Sequence, residues 1–197
     1  HSGLFINHTL VNRDSNRVYF FARANWTRMP GEKEKGERVN VPFTIDLDGT
    51  NLTPHRQFIG GHPEWDEGAV MIGSIKKDGE LQQVRYDTDT QKIVGRIGDS
   101  KMFPKPEGDI ALSPDGNWFV NGYKPHDQST ENFFAVYHRP TGAFARSPGI
   151  PKGSRSKNRD VRIDPAPRWN RTNDKILTPG LDKNNRRQMF LIEIKRE

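Results

Sequence analysis

The sequence predicts an all-β chain, a β-propeller built from four-stranded antiparallel blades, and three observations carry that prediction. First, 14 Pro and 18 Gly stand against only 32% hydrophobic residues in 197 positions, which suits many turns and short strands rather than long helices. Second, Gly108 to Tyr123, GDIALSPDGNWFVNGY, reads as a strand, a tight turn and a second strand. Its proline presets φ for the turn and its glycine supplies the positive φ that other residues resist. Third, the unit recurs four times about fifty residues apart, and self-similarity at that period marks a propeller.

The first unit, about 7–54, holds NHTLVNRDSNRVYFFAR and then VPFTIDLDGTNL. The second, 61–99, holds GHPEWDEGAVMIG and QQVRYDTDTQKIVGRI. The third, 108–148, pairs the Ser-Pro-Asp-Gly hairpin with FFAVYHRPTGAFARS. The fourth, 164–197, has DPAPRWNRTNDKILTPG and RQMFLIEI and stops after a third strand. At the entrance to each unit the equivalent positions are His8, His62, Asp109 and Ala166. Two closures are expected. In one, Gly3 to Ile6 completes the last unit of a four-bladed ring. In the other, the region 1–197 is the later half of a larger ring, which its start at His1 favours.

The net charge of +6 favours an acidic partner through long-range attraction. No apolar run approaches a membrane span, so none is expected. The absence of cysteine excludes a disulfide framework and thiolate metal sites without fixing the compartment. The charged insert at 28–40 reads as a solvated excursion. The insert at 149–162 is sharper, because Lys152, Arg155, Lys157, Arg159 and Arg162 crowd it with Asp160 the single acid. This loop is the candidate rim for an anionic substrate. No aromatics interleave it, so a stacking platform for nucleic acid is not expected. Trp65 is placed as a sugar platform, although tryptophans at strand starts also suit packing between sheets. Glu64 and Asp66 beside it share a face as close neighbours and cannot easily flank a glycosidic bond.

His8 within NHTLVNRDSNRVYFF, Gly61-His62-Pro63-Glu64-Trp65, the Ser-Pro-Asp-Gly turn at 113–116, and DPAPRWNRTNDKI with RQMFLIEI carry a resemblance. In these segments the chain resembles the carboxy-terminal blades of the oligogalacturonate lyase family, whose wider relatives are the periplasmic TolB-like propellers. The resemblance implies a seven-bladed ring, of which this chain supplies four, and a periplasmic or secreted location, with the cytoplasm as the alternative. It also implies β-elimination on pectic oligosaccharides, assisted by a divalent metal, typically manganese, held by histidines and a glutamine.

By that resemblance His62 is the candidate catalytic base, and Asp109 replaces a metal-binding histidine. Val161, Asp164 and Ala166 stand where a Gln-x-x-His-x-His cluster is expected. All the ligands are therefore changed, and a histidine-type manganese site is absent from these positions. Asp109 and Asp164 would still suit Ca²⁺ or Mg²⁺ through oxygen. Three readings follow. The first is a propeller that binds an acidic oligosaccharide or a protein partner without lyase chemistry. The second is a lyase with His62 as base and a carboxylate cation site at Asp109 and Asp164. The third is a TolB-like scaffold whose channel takes a peptide.

Overall fold

The computed structural model describes residues 3–25, 37–153 and 162–195, and among them every regular element is a strand. Among the described residues no helix is long and apolar enough to cross a membrane. The strands form successive antiparallel meanders. The first is β1 (Phe5–Val11), β2 (Arg17–Ala24), β3 (Val39–Asp46) and β4 (Thr53–Pro54), in that spatial order. The second is β5 (Gly60–Trp65), β6 (Val70–Lys77), β7 (Glu80–Asp87) and β8 (Lys92–Arg96). The third is β9 (Asp109–Leu112), β10 (Trp118–Tyr123), β11 (Glu131–His138) and β12 (Phe144–Arg146), with β13 (Ile150–Pro151) also on β11. The last is β14 (Arg168–Trp169), β15 (Lys175–Leu181) and β16 (Arg187–Glu193). A single parallel pairing, His62 with Asp109, joins the second and third meanders through their first strands.

Gly3 to Ile6 does not complete the last sheet. Phe5 and Ile6 run into β1 and face Arg23 and Ala22 of β2, because their continuation into β1 keeps them on the first meander. The Ser-Pro-Asp-Gly turn forms as the sequence predicts. The Gly116 amide donates to the Ser113 carbonyl at 2.9 Å with Gly116 at φ 72°, and the Ser113 hydroxyl accepts from the Trp118 amide.

Side chains on a strand alternate between faces, so the second and third meanders each feed two cores. Tyr19 and Phe21 of β2 pack on Trp65 and Met71 of the second meander. Ile72, Ile97 and Phe103 pack on Ile110, Leu112 and Phe119 of the third. Ala111, Val120 and Phe134, on the opposite face of that same meander, pack on Ile150, Ile176 and Phe190. The sheets are thus stacked face to face. Polar links run alongside: Trp65 Nε1 donates to the Leu10 carbonyl at 2.8 Å, and Trp169 Nε1 to the Ala111 carbonyl at 3.2 Å. Buried Asp66 receives Arg85 from its own meander and Arg139 from the next.

The two terminal sheets each keep an apolar face with no sheet against it among the described residues. On the first sheet, Val18, Phe20 and Ala22 alternate away from the core and lie opposite Ile45, Phe43 and Val41. The Phe20 and Phe43 rings stack there at 5.7 Å. On the last sheet, Leu177 lies opposite Leu191 and Pro179 opposite Met189, and Leu177, Leu191 and Met189 are exposed.

Candidate functional site

The entrances of the four units converge on one line of contacts. Both β1 and β5 carry an irregularity at the entrance position, with register shifts between Asn7 and Leu10 and between Gly60 and Glu64. His8 has φ 55° and Ala166 φ 37°, a region uncommon for residues with a Cβ. Bulges re-aim side chains. Here they set the His8 ring edge-on to the His62 ring at 5.0 Å, and place His62 Nδ1 in an ion-paired hydrogen bond with Asp109 Oδ1. The Ala166 amide donates to Asp109 Oδ2 at 2.9 Å.

Two glycines permit this approach. A Cβ at Gly108 would stand 2.0 Å from the Gly122 carbonyl oxygen, and one at Gly122 would stand 2.5 Å from Pro165 Cβ. Without side chains there, the segment leading to β14 lies close on β10 and brings the Ala166 amide to Asp109.

Charge follows from these contacts. The hydrogen bond to Asp109 raises the His62 pKa above its ordinary value; burial opposes it, and the charges of Asp109 and Asp164 reinforce it. For Asp109, burial pushes upward, but the hydrogen bond and charge of His62, helped by the Ala166 amide and Arg168, hold the carboxyl below its usual range. Burial, His62 and Arg23 lower His8. His62 is therefore a half-exposed imidazole whose proton is held by a nearly buried carboxylate.

A pocket of about 550 Å³ opens beside this pair, lined among others by His62, Asp109, Lys152, Arg162 and Asp164. The structure thus brings together the candidate base, both candidate cation ligands and two of the basic loop residues. Arg162 pairs with Asp164 at 2.6 Å, its one ion pair among the described residues, and keeps further N–H donors on a mostly exposed side chain. Arg155, Lys157 and Arg159 lie outside the described residues, as does Val161.

Trp65 is a correction. It is 1% exposed, locked in the core between the first two meanders by its hydrogen bond to Leu10, and does not line the pocket. Its size favours burial between sheets over a place on a rim. Trp65→Phe is expected to lower stability by about 1 kcal/mol in urea unfolding, through the lost hydrogen bond, and to leave ligand affinity unchanged.

The residues present do not fit the implied metal. Among the described residues no group of three or more His, Asp or Glu converges as ligands would. Both oxygens of Asp109 are engaged, one by His62 and one by Ala166, and Asp164 is held by Arg162.

The pocket also has a wall that sequence reasoning missed: Lys105 and Glu107 from the β8–β9 connection, Lys124, His126 and Asp127 from the β10–β11 connection, and Asn132 of β11. The available signal was positional. In an antiparallel meander the entrance to the first strand and the connection between the second and third lie at the same end, so Lys124 to Asp127 had to face the Asp109 entrance.

No protein-family model matches the sequence, and no curated protein matches it. Among solved structures, the chain is similar to oligogalacturonate lyase in complex with manganese, with a TM-score of 0.63 and 15% identity over 97% of this chain and 49% of that one. It is also similar to TolB from Acinetobacter baumannii, with a TM-score of 0.60 and 16% identity over 95% and 40% of the two chains. Kuenenia stuttgartiensis hydrazine synthase gives a TM-score of 0.56 and 11% identity over 95% and 50%. Stacked meanders and these neighbours define the fold as a β-propeller. The chain spans about half the length of the structures it matches.

Proposed function

We propose that this chain is the later four-bladed part of a seven-bladed propeller, acting outside the cytoplasm, and that it binds an acidic oligosaccharide in the pocket beside His62 without cleaving it. The observation that carries the reading is the convergence of His62, Lys152 and Arg162 on one pocket at the inner strands. An imidazole whose proton is stabilised by a buried carboxylate keeps its other ring nitrogen free to offer an N–H to an anion when the ring is protonated. The altered ligand set, with Asp109 and Asp164 already engaged, supports binding over metal-assisted elimination. The ring assignment draws support from the bare apolar faces of the two terminal sheets, each of which suits a neighbouring blade.

One observation favours elimination instead. Fixing His62 Nδ1 on a carboxylate leaves Nε2 as the atom able to take a proton, the arrangement of a base and its orienting group. With Arg162 and Lys152 beside it, the carboxylate charge of a uronate would have counter-charges other than a metal.

Incubation of the full-length protein with trigalacturonate, with and without Mn²⁺ or Ca²⁺, separates the two. Binding by calorimetry that weakens in His62→Ala, with no rise in absorbance at 235 nm, is expected. A rise that His62→Ala abolishes would replace this reading with the lyase. A native polypeptide mass no greater than 22.6 kDa would remove the seven-bladed assignment.

A further inference from the structure

We infer that the pocket contains a second anion subsite, away from His62, in which the Asn132 amide and the ammonium groups of Lys124 and Lys152 hold one oxyanion of the ligand. The inference rests on the reading of the pocket as an acidic-ligand site. Asn132 is 1% exposed, lines the pocket, and its Nδ2 has no hydrogen-bond partner among the described residues. Buried amide donors are nearly always satisfied, and one left over on a pocket wall calls for an acceptor that enters with the ligand.

The topology surrounds this amide with positive charge. The β10–β11 ladder ends at the Tyr123–Phe133 pair, so Asn132 stands where Lys124 leaves the sheet. On its other side Asn132 pairs with Ile150 of β13, and the chain continues directly to Lys152, whose backbone amide donates to the Thr130 carbonyl at 2.8 Å. Both lysines line the same pocket. Lys124 now pairs with Asp127 at 3.2 Å, but both side chains are largely exposed, so an incoming carboxylate has a counter-ion to displace rather than a buried bond to break. An oxyanion supplies an acceptor for the amide and carries a charge complementary to the two ammonium groups. A carboxylate of an acidic sugar and a free phosphate share this chemistry.

The test titrates the full-length protein, calorimetrically, with trigalacturonate, its methyl ester and inorganic phosphate, using wild type, Asn132→Leu and Lys124→Gln. Trigalacturonate binding is expected to fall at least tenfold in each variant, with the methyl ester bound no better by wild type than the acid is by the variants. Lys124→Gln, at an exposed side chain, keeps the test valid should Asn132→Leu fail to fold. Wild-type affinity in Lys124→Gln and in a folded Asn132→Leu would overturn the subsite while leaving acidic-sugar binding intact. Phosphate binding with the same variant dependence, in the absence of sugar binding, would keep the subsite and remove the sugar reading. Loss of both probes from wild type would remove both.

Discussion

Asp66→Ala is expected to cost about 3 kcal/mol in urea unfolding and to lower the melting temperature by about 10 °C. Asp66 is 4% exposed and receives three N–H groups: Arg85 Nε at 2.7 Å, and both terminal nitrogens of Arg139 at 2.8 and 2.9 Å. The Arg139 fork is bidentate, and its NH1 also donates to the Gly116 carbonyl at 2.8 Å. One carboxylate therefore ties the second meander to the Ser-Pro-Asp-Gly turn of the third. Removing it leaves Arg139 without its carboxylate and Arg85 with only the exposed Glu67, at 3.0 Å. Both arginines retain some solvent access, which places the loss at the lower end for a broken buried pair. Arg139→Met should cost less, because Arg85 still neutralises Asp66. Equal losses in the two variants would show that Asp66 does not act as the shared anion.

Asp66 also marks what the sequence could and could not disclose. Its strand and turn were legible, since GHPEWDEGAVMIG carries its own alternation and its own glycine. Its partner was not, since Arg139 lies 73 residues away and reaches it only once two meanders stack. The same division runs through the candidate site. The entrance positions His8, His62, Asp109 and Ala166 were aligned from local repetition alone, and they do sit side by side. The engagement of Asp109 by His62 and Ala166 depends on a parallel pairing between first strands of different units, and no periodicity within a unit encodes that. Trp65 shows the converse limit: an aromatic next to a candidate base looks like a sugar platform in one dimension, while its alternation partner faces determine that it fills the core.

The second large effect is on pH. His55 is 3% exposed, between Thr44 Oγ1 at Nε2 and Tyr86 Oη at Nδ1, both at 2.9 Å. Burial, joined by the positive charge of Arg17 and partly offset by Asp89, lowers its pKa from 6.5 to about 4. A histidine held neutral in the fold stabilises it fully above the unfolded pKa, and that contribution is lost as pH falls from about 6.5 to about 4. At about 1.4 kcal/mol per unit, the loss is about 3 kcal/mol, with no further change from this group at lower pH. His62 has the opposite sign. Its raised pKa stabilises the fold below 6.5 and is lost as pH rises through the folded value, so the two windows lie on opposite sides of 6.5. Urea unfolding of wild type and His55→Gln at pH 7 and pH 4 separates them. Gln keeps one polar contact and carries no proton, so the variant should be less stable at pH 7 yet lose about 3 kcal/mol less than wild type on acidification. Parallel losses in the two proteins would mean that His55 is not the group that charges as the fold fails in acid.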